Sequence, residues 1–187
     1  PKDILGIGLC TIRCCRAYLK EDGTLAQPAL SWMDIRVSQP YEHVNPDVKY
    51  IVASSGYITH RLTGERKDTV ANYEYGWPVD VDQWKWSDDP EAYKATGMPR
   101  EMLFDLVMPG DVLGYVTEDA AKATGLPQGV PVVATSNDKA VEGLGTGCMG
   151  DKTACISLGT YTTAMMEGKE NLKRYIICMA KILLRAK

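Results

Sequence analysis

The stretch Gly129-Val130-Pro131-Val132-Val133-Ala134-Thr135 is an almost unbroken apolar run. Ser136-Asn137-Asp138 and the small-residue segment Ala140 to Leu144 follow at once. A run this short and this rich in valine reads as a buried strand, and Ser, Asn and Asp are the residues that cap a helix N-terminus. A buried strand feeding a capped helix belongs to an α/β or α+β domain, and the rest of the chain is built from similar pieces.

Ile4-Leu5-Gly6-Ile7-Gly8-Leu9 is a short apolar run with glycines, a strand entering a turn. Arg16-Ala17-Tyr18-Leu19 alternates as a second strand, with Glu21-Asp22-Gly23-Thr24 as a hairpin-type turn after it. Val48, Ile51, Val52, Ser55, Ile58 and Leu62 fall at helical spacing and predict a helix over 47–62, stopped by Gly64. Thr117 caps a helix through residues 118–123 that Gly125 and Pro127 end, and Ala154 to Leu158 reads as a further strand closed by Gly159-Thr160. Trp77, Trp84 and Trp86 lie in a segment, 73–90, that reads as a loop packed on a core, with a ligand stack as the alternative.

Charge and composition exclude several functions. The 187 residues carry 21 Lys and Arg against 24 Asp and Glu, a net charge of −3, which argues against nucleic acid or an anionic membrane surface as the main partner. No stretch approaches the roughly 18–20 apolar residues of a membrane helix. The six cysteines include no Cys-x-x-Cys pair, and His43 and His60 are the only histidines, so a structural zinc site is not expected. Adjacent Cys14-Cys15 suits a reduced chain, and Pro1-Lys2-Asp3 begins no signal-peptide pattern; a cytoplasmic location is expected. After Glu170 come five bases and no acid. Leu172, Ile176, Met179 and Leu183 there could form one face of a basic amphipathic helix, docked on the protein body or bound to a membrane or acidic partner.

Two pieces suit phosphoryl transfer. Small residues and hydroxyls in Ser157-Leu158-Gly159-Thr160 would let backbone N–H groups approach a phosphate, and Asp138 at a strand end could take a proton from an attacking hydroxyl. Each has an ordinary reading too, as a turn and as a helix cap.

Taken in order, the motifs are more specific. They run Tyr57-Ile58-Thr59-His60-Arg61-Leu62-Thr63-Gly64-Glu65, Met108-Pro109-Gly110-Asp111-Val112-Leu113-Gly114 and Gly125-Leu126-Pro127-Gln128-Gly129-Val130-Pro131-Val132. Asn137-Asp138-Lys139-Ala140, Gly143-Leu144-Gly145-Thr146-Gly147 and Ser157-Leu158-Gly159-Thr160 complete the series. In this order the chain resembles the FGGY carbohydrate kinases, sugar and polyol kinases of the actin and hexokinase-like ATPase superfamily. Trp32-Met33-Asp34-Ile35-Arg36 is similar to the family's Trp-x-Asp-x-Arg segment beside the sugar. Gly6 to Thr11 is similar to its first phosphate loop.

The resemblance implies an α/β, ribonuclease H-like (actin-like ATPase) N-terminal kinase domain and transfer of the γ-phosphate of ATP to a hydroxyl of a sugar or polyol. Asp138 would be the catalytic base. Trp32, Asp34, Arg36 and Asn137 would lie near the sugar, and Thr11, Gly159 and Thr160 at the phosphates. Mg2+ would bridge the phosphates, mostly through water. The partner would be the small-molecule substrate, with neither nucleic acid nor membrane; a homodimer is one assembly it allows.

Two departures accompany the likeness. The phosphate loop of the family reads Asp-x-Gly-Thr, whereas here Gly8 and Cys10 stand at the Asp and Gly positions. Both changes point towards weakened catalysis, so the alternative is a degenerate kinase-like domain that binds a sugar or a protein partner. The chain also lacks length. Residues 1–156 read as an incomplete N-terminal domain with segments missing near 20–31 and 37–47. Residues 157–187 read as the start of a second domain plus the basic tail. A truncated remnant and joined segments of a longer protein both fit that spacing.

Overall fold

The computed structural model describes residues 3–74, 76–150, 152–158 and 162–166. In it the apolar run at 50–53 is a strand, β3 (Tyr50–Ala53), and only from Ser54 does the chain turn into helix α1 (Ser54–Thr63). This corrects the single helix expected over 47–62. Ile51 and Val52 are completely buried. They pair antiparallel with β2 (Arg16–Leu19), Ala17 opposite Val52 and Tyr18 opposite Ile51. A strand buried on both faces is apolar without alternation, so helical spacing in such a run carries no information.

The first element is β1 (Ile7–Leu9), and β2 returns along itself through the predicted turn. Lys20 N–H donates to the Thr24 carbonyl at 2.8 Å, Ala26 N–H to Tyr18 and Leu30 N–H to Arg16, both also at 2.8 Å. Residues 20–31 therefore form a closed hydrogen-bonded excursion. After α1, ended by Gly64 in the left-handed region at φ 76°, come β4 (Lys67–Thr69), β5 (Val79–Asp80), β6 (Lys85–Trp86) and α2 (Pro90–Thr96). Next are β7 (Asp105–Val107), β8 (Val112–Tyr115), α3 (Glu118–Thr124) and β9 (Pro131–Ala134). Thr117 caps α3 as its sequence predicts, accepting from Ala120 N–H at 3.2 Å. Last come α4 (Asp138–Gly145), β10 (Ala154–Leu158) and β11 (Thr162–Met166).

The chain divides into two compact units, Pro1–Asn137 and Asp138–Lys187. In the first, β1 lies parallel to β9 and β8 antiparallel to it, giving the order β1-β9-β8. Separate pairs are β2 with β3, β4 parallel to β7, and β5 with β6. Leu113, Val116, Ala120, Val130, Val132 and Ala134 fill the core beside the three-stranded sheet. A second cluster gathers Tyr73, Trp77, Trp86, Met98 and Leu103 around Ile51 and Val48. The Tyr73 ring meets Trp77 and Trp86 edge-on at 4.7 and 5.1 Å, favoured geometries for aromatic pairs. The Trp-rich segment is thus core packing at Trp77 and Trp86, while Trp84 stays half exposed at 49%.

In the second unit, β10 and β11 form an antiparallel pair with Ile156 opposite Ala164. Lys139 Nζ on α4 reaches Glu142 Oε2 at 2.8 Å and Ser157 Oγ on β10 at 3.0 Å, tying helix to hairpin. Gly159, Thr160, Cys178 and the basic tail lie outside the described residues. Among the described residues, Cys10, Cys14, Cys15, Cys148 and Cys155 form no disulfide, and no helix is long and apolar enough to cross a membrane.

Candidate active site

The loop that joins β1 to β2 carries Thr11. Ser54 Oγ, at the start of α1, lies 3.1 Å from its hydroxyl, and Asn72 Nδ2 lies 3.4 Å away. Asn72 closes a short 3-10 turn, Val70–Asn72, that follows β4. Arg13, in the same loop, pairs with Glu74 at 2.7 Å. Gly8, where the resembling family places aspartate, is packed closely: a Cβ built there would lie 3.1 Å from Thr135 Cγ2. A carboxylate at that position would require Thr135 to shift by a few tenths of an ångström. Thr135 is itself held by donating its hydroxyl to the Leu9 carbonyl.

The segment that carries Trp32, Asp34 and Arg36 is built on a short 3-10 turn. Asp34 caps the 3-10 turn Ile35–Ser38, accepting from Arg36 N–H at 3.0 Å, and its carboxylate takes a fork from the same residue, Nε to Oδ1 at 2.9 Å and Nη2 to Oδ2 at 2.6 Å. That side-chain hydrogen bonding from Arg36 holds the Asp34 carboxyl down at about 2 from 3.8, and the same pairing raises Arg36. A bidentate guanidinium–carboxylate pair is geometrically specific. Asp34 and Arg36 therefore form one paired unit; Trp32, two residues before Asp34, is half-buried.

Asn137 is buried, 4% exposed, and its Nδ2 donates to the Ala71 carbonyl at 2.9 Å. The turn 70–72 thus gathers two expected site residues: Ala71 holds Asn137 and Asn72 reaches Thr11. The bonds of Asp34 and Arg36 are instead to each other. Asp138, next in the chain, opens α4 in the second unit, and its Oδ1 is buried with no hydrogen-bond partner among the described residues. A buried carboxylate oxygen without a donor is costly, and native proteins leave few such atoms.

The motif reading passed over a fully buried polar cluster behind Thr11. Asp68 is completely buried on β4. Its Oδ2 accepts from Ser55 Oγ at 2.8 Å and from Tyr73 OH at 2.7 Å, and its Oδ1 accepts from Thr69 N–H at 2.8 Å. Burial pushes the Asp68 carboxyl up to about 7 from 3.8, against the hydrogen bonds from Tyr73, Ser55 and backbone N–H groups that lower it. Tyr73 is raised as well, by burial first and then by the neighbouring carboxylate. Lys67-Asp68-Thr69 follows the polar Gly64-Glu65-Arg66 and carries no local sign of burial; Asp68 is covered because β4 lies beside β7.

A family model, the N-terminal domain of the FGGY family of carbohydrate kinases, matches residues 26–145. A sugar kinase of Escherichia coli strain K12, YgcE, described as uncharacterized, is 59% identical over 168 residues, 90% of this chain and 34% of that protein. The L-fuculokinase of the same strain is 31% identical over 116 residues, 62% of this chain and 24% of that protein. Among solved structures, the xylulose kinase from Rhodospirillum rubrum superposes with a TM-score of 0.74 at 20% identity, over 85% of this chain and 41% of that one. The fold is therefore the N-terminal part of the actin-like ATPase architecture of sugar kinases. The chain spans about a third or less of the length of these two curated relatives. With a family model covering residues 26–145 and so high an identity to a sugar kinase, the chain belongs to the FGGY family of carbohydrate kinases.

Proposed function

We propose that the protein containing this chain is an ATP-dependent carbohydrate kinase that transfers the γ-phosphate to a hydroxyl of a sugar or polyol, with Asp138 as the base. The observation that carries this reading, beyond family membership, is the buried Oδ1 of Asp138 at the head of α4, which has no hydrogen-bond partner among the described residues. A substrate hydroxyl is the donor that would satisfy it, and a carboxylate there can accept the proton as that hydroxyl attacks phosphorus. Phosphoryl transfer is chiefly positioning and charge neutralisation, with the base adding about 10²–10⁴-fold.

In this reading Thr11 on the first loop, with Gly159 and Thr160, faces the phosphates, while Trp32, Asp34, Arg36 and Asn137 serve the sugar. The described residues hold no cluster of three or more His, Cys, Asp or Glu suited to a metal ion. Mg2+ would accordingly be carried by the phosphates and by water, as a hard octahedral ion prefers. Residues 1–156 would be part of the first domain, with the second beginning near 157, in a cytoplasmic enzyme.

The test is ATP turnover by the intact gene product across pentoses, hexoses and polyols, including the sugars phosphorylated by the L-fuculokinase and xylulose kinase relatives. Asp138→Asn should lower kcat by about 10²–10⁴-fold while leaving MgATP binding in place. Sugar binding without ATP turnover on any substrate would favour the degenerate, sugar-binding alternative instead.

A further inference from the structure

The Thr11 hydroxyl can give its proton to a phosphate oxygen only if no neighbour takes that proton, so it matters whether the groups around it donate to its oxygen or accept from it. Ser54 does not settle this. Its Oγ lies 3.1 Å from both Thr11 Oγ1 and the Ile12 carbonyl and has a single proton to share between them. Asn72 is different, because a chain of buried hydrogen bonds fixes which end of its amide faces outward.

The chain starts at Asp68. Tyr73 OH takes the Ala53 N–H at 3.1 Å, and its proton goes to Asp68 Oδ2. With Asp68 as the carboxylate, above about pH 7, Ser55 Oγ likewise gives its proton to Asp68 Oδ2 and so has only lone pairs left for Asn72. The group of Asn72 that meets Ser55 Oγ, at 2.6 Å, must then be the NH2. That amide nitrogen has two protons; the second faces Thr11 Oγ1. Asn72 is 2% exposed and its Oδ1 has no partner among the described residues, so the amide is held through its nitrogen alone. A buried carbonyl oxygen left unsatisfied marks a side chain whose orientation is imposed by something other than its own best hydrogen bonding.

We propose that Asn72 is the positioning residue of the first phosphate loop: locked by the Asp68–Ser55 pair, it donates to Thr11 Oγ1 and leaves the Thr11 proton directed at a phosphate oxygen. The inference rests on the reading of that loop as the phosphate site. It assigns to a residue that need not touch nucleotide a role exerted wholly through Thr11.

A double-mutant cycle on the intact gene product tests it, with MgATP affinity by calorimetry and the apparent ATP KM as readouts. Thr11→Val should weaken MgATP by about tenfold or more, the scale of one hydrogen bond to a charged group. Asn72→Ala should weaken it by about three- to tenfold in the natural background and by less than about twofold once Thr11 is Val. The loss should fall in KM rather than kcat, which general loosening of the fold would not produce. Equal losses from Asn72→Ala in both backgrounds would overturn the inference and leave the phosphate-loop reading standing. An unchanged affinity in Thr11→Val would overturn that reading and the inference with it. If Asn72→Ala does not fold by circular dichroism, Ser55→Ala in the same cycle frees the amide to turn. Its effect should likewise vanish with Thr11→Val, and persistence there would overturn the inference.

Discussion

Replacing Asp68 by Asn should remove a specific pH dependence of stability. The Asp68 carboxyl is completely buried, and its burial raises it from 3.8 to about 7 despite three side-chain and backbone donors within 2.8 Å. A raised folded value means that the folded chain binds a proton the unfolded chain has already released. The contribution is fully present below about pH 4, falls by about 1.4 kcal/mol per pH unit above it, and is lost above about pH 7. A rise of about three units corresponds to about 4 kcal/mol in all. Asn does not titrate, so it keeps any geometric cost of the substitution but not the slope. Urea unfolding of the natural chain and of Asp68→Asn, from about pH 4.5 to about pH 8, should show the natural chain losing about 3–4 kcal/mol relative to the variant as pH rises. Taking the difference cancels every other titrating group. A difference constant to within about 1 kcal/mol would refute the reasoning, because it would mean that the hydrogen bonds to Asp68 cancel its desolvation. Tyr73→Phe, which deletes one donor, should steepen the natural chain's loss.

Gly97 takes φ 69°, and a Cβ there would overlap the Tyr41 carbonyl, so Gly97→Ala should lower stability by at least about 2 kcal/mol in chemical denaturation. Thr117→Ala deletes the cap of α3 and should lower stability by about 1 kcal/mol with no change in m-value. Trp86 Nε1 donates to the buried Phe104 carbonyl at 2.8 Å. Trp86→Phe should cost about 1–3 kcal/mol, most of it from that orphaned carbonyl, and a milder loss would assign Trp86 to packing alone.

Local signals in the chain proved reliable where they are physically local. Thr117 and Gly125 bound α3 because a cap and a left-handed residue act within one turn of their own helix. The valine run became β9 and the glycine-rich run became β1, now paired side by side. The expected helix over 47–62 failed at its first half for the opposite reason. Whether Tyr50-Ile51-Val52-Ala53 extends or coils depends on β2, more than thirty residues earlier, presenting its edge. Periodicity cannot separate the two when both faces of a segment are buried.

What the sequence determined by itself was the family, through motifs in a fixed order, and with it the candidate base Asp138 and the loop that bears Thr11. It also displayed the substitutions at Gly8 and Cys10. Only the tertiary structure set Thr135 against Gly8, buried Asp68, and brought Asn72 to Thr11 across 61 residues of chain. Short-range patterning encodes which residues are polar. Whether a polar group is solvated, paired or aimed at another depends on strands and turns that meet only when the chain has folded, and an aspartate on β4 takes its character from that meeting.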